Sequence, residues 1–293
     1  MDPLALGMGL AFSAMWSSAF ATARIIVLDA SPLTVLELRF AISGTIAVAM
    51  ARAQGQSWHL TRPVAVSVLV FGICQNAIYL GLNFIALQWV EGSLASVIAS
   101  AMPLMVAGIG WLAAGEKLRP LGLAGLATGL AGVALIMGSR ITGGASPAGV
   151  ALCLVAALAL AVATRLVRGA SAGGNLLMVV GLQMWVGAAV LAAVAALVEV
   201  PRLDVTPRLV LTLTYQILVP GLAATLLWFA LVQRVGALRA ASFHFLNPFL
   251  GVAIAAMLLG EHVGPFDVLG VAIAMVGILA VQLSRQAARG AGS

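Results

Sequence analysis

Ten apolar runs, each about 20 residues long and separated by clusters of proline, glycine and charge, dominate this 293-residue sequence. A helix needs about 20 apolar residues to cross the roughly 30 Å hydrocarbon core of a bilayer. Only 8% of the residues are charged, against about 25% in an ordinary soluble domain, so most of the surface must face lipid. The sequence therefore predicts an all-α integral membrane protein with ten transmembrane helices, at residues 3–27, 32–52, 64–88, 91–113, 120–139, 147–165, 174–198, 207–233, 237–259 and 265–284.

The distribution of lysine and arginine predicts the orientation of the chain, because these residues are enriched in cytoplasmic loops. If the N-terminus is cytoplasmic, the outer connections contain four of them: Arg24, Arg140, Arg202 and Arg208. The inner connections and the tail contain ten: Arg52, Arg62, Lys117, Arg119, Arg165, Arg168, Arg234, Arg239, Arg285 and Arg289. We therefore expect both termini of the chain to be cytoplasmic.

The two halves of the sequence match each other at an offset of 145 residues. The aligned pairs include Pro103 with Pro248, Gly115 with Gly260, Glu116 with Glu261, and Pro120 with Pro265. Each half contains five apolar runs, and five is odd, so the second half must enter the bilayer from the opposite face. We therefore predict two inverted-topology five-helix repeats around a central cavity, at residues 1–142 and 143–293.

The repeated Gly-Glu pairs lie at the ends of apolar runs, in "WLAAGEKLRP" (111–120) and "MLLGEHVGP" (257–265). Gly115 and Gly260 suit the left-handed residue that ends a helix. The glutamate that follows each glycine suits the positive end of the next helix dipole. A structural corner is therefore the first interpretation of each pair, and a gating salt bridge at each membrane face is the alternative.

Residues 99–136 and 244–281 each combine a mid-helix proline, a terminal Gly-Glu pair and a glycine-spaced final helix. Together with "WSSAFATARI" (16–25), they resemble the EamA family of the drug/metabolite transporter superfamily, and the resemblance covers essentially the whole chain. It implies ten helices, a central cavity and the export of small metabolites across a bacterial inner membrane. Within the family, the chain looks most like the YddG-type exporters of aromatic and other amino acids.

Polar and aromatic groups near mid-span are the candidates for substrate contact, because they are costly in lipid unless they face a cavity or a partner. Asn76, Tyr79 and Asn83 share one helical face by their three- and four-residue spacing. The other candidates are Trp16, Gln183, Trp185, His244 and Asn247. The alternative role of the asparagine and glutamine side chains is a hydrogen bond to a neighbouring helix. The alternative for His244 is a purely structural role.

Arg39 lies inside the second predicted span, where it would attract the carboxylate of an amino-acid substrate. The alternative is that its side chain extends along the helix to the membrane interface. Pro103 and Pro248 each remove a backbone hydrogen bond near a midplane. We therefore predict that these two helices bend or move during transport.

Nothing in the sequence predicts catalysis, a metal or a cofactor, since it contains no HExxH, CxxC or Walker lysine motif. The basic residues are dispersed, which excludes a nucleic-acid patch. No acidic residue lies near a predicted midplane, which favours a facilitated carrier over a proton- or sodium-coupled one. We expect an amino-acid substrate, a lipid bilayer around the protein and a monomer. A channel, a carrier of another metabolite and an intramembrane enzyme remain alternatives.

Overall fold

The computed structural model describes residues 2–115, 118–166 and 174–290. Within these ranges the chain is helical apart from its connections and one isolated bridge between Ala30 and Leu203. Ten helices in the described part of the chain are long and apolar enough to cross a membrane, which confirms the predicted fold class, and no edge is displaced by more than three residues. They are α1 (Pro3–Asp29), α2 (Pro32–Ala53), α3 (Arg62–Ala86), α4 (Gly92–Leu112), α5 (Pro120–Thr142), α6 (Pro147–Thr164), α7 (Leu176–Val198), α8 (Pro207–Val235), α9 (Arg239–Leu259) and α10 (Pro265–Gln286).

The helix ends follow the capping residues of the sequence. Proline is the first residue of α1, α2, α5, α6, α8 and α10, where its missing N–H group costs nothing and its fixed φ suits the first turn. Gly115 and Gly260, with φ of 64° and 67°, end α4 and α9 in the left-handed conformation, which glycine adopts without strain. Glu116 and Lys117 lie outside the described residues.

Helices α3 and α8 both contain a π-helical turn, at Gly72–Tyr79 and Ile217–Ala223. The two turns begin 145 residues apart, which is the offset of the sequence repeat. In α8 the turn includes Pro220, whose ring nitrogen cannot donate an α-helical hydrogen bond. Such turns widen a helix locally and re-aim the side chains on either side.

Helices α4 and α9 are interrupted just before the prolines that the sequence analysis selects. In α4 a first segment ends at Ser100 and a second begins at Met102, with Pro103 in its first turn. In α9 a 3-10 turn spans Phe243–Leu246, and Pro248 lies in the first turn of the segment that follows. Both prolines therefore begin new helical segments, and their predicted movement stays a prediction.

Glycines allow α5 and α10 to approach backbone to backbone. A Cβ atom added at Gly132 would lie 2.5 Å from the backbone nitrogen of Ala274, and one added at Gly277 would lie 2.2 Å from that of Gly129. Small residues of this kind allow close helix packing in membranes. Since earlier residues of α5 meet later residues of α10, the two helices run antiparallel.

The contacts between the two halves occur in exchangeable pairs. Helix α1 packs against α8 and α9, and its counterpart α6 packs against α3 and α4. Three further major pairs join counterparts directly: α2 with α7, α4 with α9, and α5 with α10. Helix α3 also packs against α7, and the counterpart pair, α8 with α2, is in contact as well. Exchanging each helix of these pairs for its counterpart five helices away therefore returns the same pairs, and the space at the centre is bordered by both halves.

Candidate functional site

Two adjoining cavities occupy the centre of the bundle. The larger has a volume of about 540 Å³ and is bordered by α1, α3, α4, α6, α7, α8 and α9. The smaller, of about 130 Å³, is bordered by α1, α2, α3, α7 and α8. The two share lining residues at mid-helix, which include Trp16, Gln75, Asn76, Tyr79, Met184 and Pro220.

The larger cavity extends towards one face of the protein, which we call the open face. Its lining includes Thr164 at the end of α6, Leu176 at the start of α7 and Val64 near the start of α3. The smaller chamber extends in the opposite direction, to Leu87 just beyond the end of α3. The two cavities together therefore follow a path through most of the thickness of the bundle.

Polar contacts join the two halves at the opposite face, which we call the closed face. The carboxylate of Glu261 accepts hydrogen bonds from the backbone N–H groups of Gly92 (2.7 Å) and Ser93 (3.0 Å) at the start of α4. An anion at this position is stabilised by the positive end of the helix dipole. The expected dipole contact of Glu261 is therefore present, but to α4 instead of the next helix in sequence.

Arg140 forms the second link at the closed face. Its guanidinium donates to Asp267 at 3.0 Å and forms an ion pair with Glu91. Burial raises the pKa of Glu91 above its ordinary value of 4.5, and the positive charge of Arg140 opposes this shift only in part. A third contact lies above the smaller chamber, where the Arg24 guanidinium donates to the backbone oxygen of Leu87.

Arg39 lines the smaller chamber, and among the residues that the structure describes it is the only charged one that borders either cavity. The residue is 5% exposed, and its Nε atom has no hydrogen-bond partner. Its Cζ atom lies 5.2 Å from the centre of the Phe40 ring. The structure therefore places Arg39 inside the bundle, as the substrate-contact hypothesis requires, and not at the membrane interface.

The predicted polar face of α3 also borders the cavities. The side-chain nitrogen of Asn76 donates to the backbone oxygen of Gln183 at 2.8 Å, so this amide joins α3 to α7. The side-chain nitrogen of Asn83 donates to the backbone oxygen of Tyr79 at 2.7 Å. The hydroxyl of Tyr79 and the side-chain oxygen of Asn83 are buried without a partner.

His244 lies among aromatic rings in the larger cavity. Its ring centre is 5.4 Å from that of Phe12, 5.2 Å from Trp228 and 5.9 Å from Trp16. The side-chain nitrogen of Asn247 and Nδ1 of His244 lie 2.8 Å apart, within hydrogen-bond distance. This wall of the cavity is therefore aromatic.

The structure brings most of the predicted site residues together, but it places two of them away from the cavity lining. Trp16, Gln183 and His244 line the larger cavity. Asn247 is buried behind His244 and lines neither cavity. Trp185 also lines neither, because this side of α7 faces α2, where its Nε1 atom donates to Thr45 at 3.3 Å.

Several lining residues were not among the predicted ones, including Phe12, Phe71, Pro220, Thr225 and Trp228. Pro220 gave a usable signal, since it is a proline at mid-span and aligns with Gln75 at the repeat offset. The aromatic residues gave none, because they are ordinary members of apolar runs. No group of three potential metal ligands occurs within residues 2–115, 118–166 and 174–290.

Comparison with known proteins identifies the family. The EamA-like transporter family matches residues 3–138 and 147–283. The chain belongs to this family. This EamA-like transporter is 25% identical to the uncharacterised inner membrane transporter YedA of Escherichia coli strain K12, over 92% of this chain and 88% of that protein. It is also 25% identical to the uncharacterised transporter YvbV of Bacillus subtilis strain 168, over 84% and 81% of the two chains.

The fold of this EamA-like transporter also occurs in a solved crystal structure. The superposition has a TM-score of 0.67 and covers 97% of this chain and 98% of that chain, at 22% identity. At this identity the likeness concerns the fold alone. The family and its relatives establish a multi-pass membrane transporter, and their names identify no substrate.

Proposed function

We propose that this transporter exports amino acids with aromatic or other apolar side chains across the bacterial inner membrane by alternating access. The observation that carries the proposal is the central path, which reaches the open face through a cavity of about 540 Å³ and is closed at the other face by polar contacts. A solute can occupy such a path from one side only. The aromatic wall around His244 suits an apolar side chain.

Alternating access also needs two halves that can exchange their conformations. The exchangeable helix pairs, the π turns 145 residues apart and the antiparallel contact of α5 with α10 all support inverted repeats at residues 1–142 and 143–293. In this proposal Pro103 and Pro248 begin the helical segments that move. The substrate-contact residues are Trp16, Arg39, Asn76, Tyr79, Asn83, Gln183 and His244, with Asn247 in a supporting role.

The predicted orientation assigns the open face to the cytoplasm, so this conformation is the one that loads solute for export. Within the described part of the chain, no acidic residue lines either cavity, which supports facilitated transport down a gradient. The transporter acts as a monomer in the bilayer, because each half already supplies the other with packing partners.

Counterflow in proteoliposomes tests the proposed function. Vesicles loaded with unlabelled L-phenylalanine should accumulate labelled L-phenylalanine transiently, and the rate should saturate with concentration. Competition by all twenty amino acids then measures selectivity, with apolar and aromatic ones competing best. Flux that does not saturate and shows no counterflow would indicate a channel. Saturable counterflow of another metabolite, with none for any amino acid, would contradict the proposed substrate class.

A further inference from the structure

Helices α4 and α9 cross in close contact between the centre of the bundle and the closed face. The first segment of α4 (Gly92–Ser100) packs there against the second segment of α9 (Asn247–Leu259). A Cβ atom added at Gly251 would lie 1.9 Å from the Oγ atom of Ser96 and 2.6 Å from its Cβ atom. Small residues allow helices to approach this closely in membranes, so this crossing requires a glycine at position 251.

The repeat defines a counterpart crossing on the side of the open face. At the offset of 145 residues, its partners are the start of α9 and the second segment of α4 (Met102–Ala114). No comparable packing joins these two segments within residues 2–115, 118–166 and 174–290. Both border the larger cavity, through His244 of α9 and Met102 of α4. Because alternating access exchanges the conformations of the two halves, closing the open face requires these segments to meet.

The two crossings differ at the residue that limits how closely the helices approach. The repeat offset aligns Gly251 with Val106 and Ser96 with Ala241. If the counterpart crossing copied the geometry of the first, the Cβ atoms of Val106 and Ala241 would lie 2.6 Å apart. Carbon atoms in favourable contact are about 3.5–4.0 Å apart. The counterpart crossing must therefore stay wider than the first, and it loses part of the dispersion attraction between the helices.

This difference acts on the equilibrium between the two conformations, because it favours the one in which the glycine-containing crossing is packed. We propose that Gly251 and Val106 bias the empty transporter towards the conformation described here, with the larger cavity accessible from the open face. The inference rests on the alternating-access part of the proposed function and does not depend on the substrate. With the predicted orientation, the empty transporter returns to the state that binds solute from the cytoplasm.

Two substitutions should shift this equilibrium towards the opposite conformation. Gly251→Ala introduces the Cβ atom that the first crossing excludes, and Val106→Gly removes the Cβ atom that obstructs the counterpart crossing. Single cysteine reporters, in a background without the two native cysteines, measure both faces. One replaces Leu87, which borders the smaller chamber near the closed face, and the other replaces Leu176, which borders the larger cavity near the open face.

Reaction with a water-soluble maleimide in detergent reports the shift. Each substitution should make the Leu87→Cys reporter react at least ~3-fold faster, and the two together should lower the rate of the Leu176→Cys reporter by about half. Gly108→Ala is the matched control in the same helix as Val106. Its new Cβ atom would meet only Leu126, at an ordinary 3.9 Å, so both rates should stay as in the wild type.

Opposite changes at the two reporters identify an exchange of conformations. If both rates rise, Gly251 stabilises only a local contact, and the proposed bias is overturned. Unchanged rates at both reporters would overturn it as well, although amino-acid transport would stand. Val106→Gly adds no atoms and decides the outcome if Gly251→Ala does not fold. If the reporters respond as expected while no amino acid shows counterflow, the bias stands and the proposed substrate class fails.

Discussion

Replacing Arg39 with methionine is expected to stabilise the protein while it abolishes carboxylate recognition. Arg39 is 5% exposed, and it has no ion pair or hydrogen bond with any residue that the structure describes. An unpaired buried charge costs several kcal/mol even after relaxation. The contact with the Phe40 ring at 5.2 Å offsets about 1 kcal/mol of this cost. We therefore expect the free energy of unfolding to rise by about 1–3 kcal/mol in Arg39→Met.

Thermal unfolding of the detergent-purified protein measures this effect. At about 2–4 °C per kcal/mol, the midpoint should rise by about 2–12 °C. Arg202→Met is the control, because both contacts of its guanidinium are solvent-exposed. They are an ion pair with Asp204 at 3.7 Å and a hydrogen bond to the backbone oxygen of Leu28 at 2.7 Å, and exposed ion pairs contribute little. A midpoint that falls in Arg39→Met while the control stays unchanged would refute the reasoning, since Arg39 would then stabilise the fold.

Ligand-induced stabilisation gives a second measurement on the same samples. Excess L-phenylalanine should raise the wild-type midpoint, because a ligand that binds only the folded state stabilises it by mass action. The same addition should leave the midpoint of Arg39→Met nearly unchanged. Substitution of a binding residue is expected to give a stable variant that no longer responds to ligand, whereas substitution of a packing residue is not.

Three further substitutions test the closed face and the helix packing. Glu261→Gln weakens charge-assisted bonds to α4, which should make the closed face more accessible. A Leu87→Cys reporter, in a background without Cys74 and Cys153, should then react with an impermeant maleimide at least about three times as fast. Asp2→Asn is its control, since Asp2 caps α1 at the open face, and equal rates in the two variants would contradict a closing role. The pKa of Glu91 is raised in the folded state, so the folded protein binds the proton of this carboxyl group more tightly than the unfolded chain does. The free energy of unfolding should therefore fall as the pH rises from 4.5 through the raised pKa. Glu91→Gln should flatten this decline, measured as the melting midpoint against pH. Gly132→Ala should lower the unfolding free energy by about 1–3 kcal/mol, whereas Gly138→Ala in the same helix, where a new Cβ meets nothing within 4 Å, should not.

The fold follows from properties that are local in the sequence. Each span is a continuous apolar run, and most helix starts carry a proline or glycine, so neither needs tertiary information. The offset of 145 residues adds the relation between the halves. The π turns of α3 and α8 were not predicted, because a widened turn depends on neighbours such as Val186, which a Cβ at Gly72 would approach at 2.6 Å.

The site is less predictable because most of its helices are apolar on every side. Gln183 and Trp185 are two residues apart on α7 and point in different directions, yet nothing in the sequence tells which direction faces the cavity. The helix dipole correctly predicts a partner for Glu261, but any helix start nearby satisfies the same rule. Only the three-dimensional arrangement identifies α4 as that partner.

The depth of Arg39 relative to the open face determines how a bound amino acid would travel. Its polar end would reach the far chamber first, and its hydrocarbon part would follow into the aromatic cavity. When the far side opens, water reaches the guanidinium before it reaches the aromatic rings. Hydration therefore weakens the interaction of Arg39 with the charged end of the substrate first. The molecule would then leave in the orientation in which it arrived, without having to tumble inside the protein.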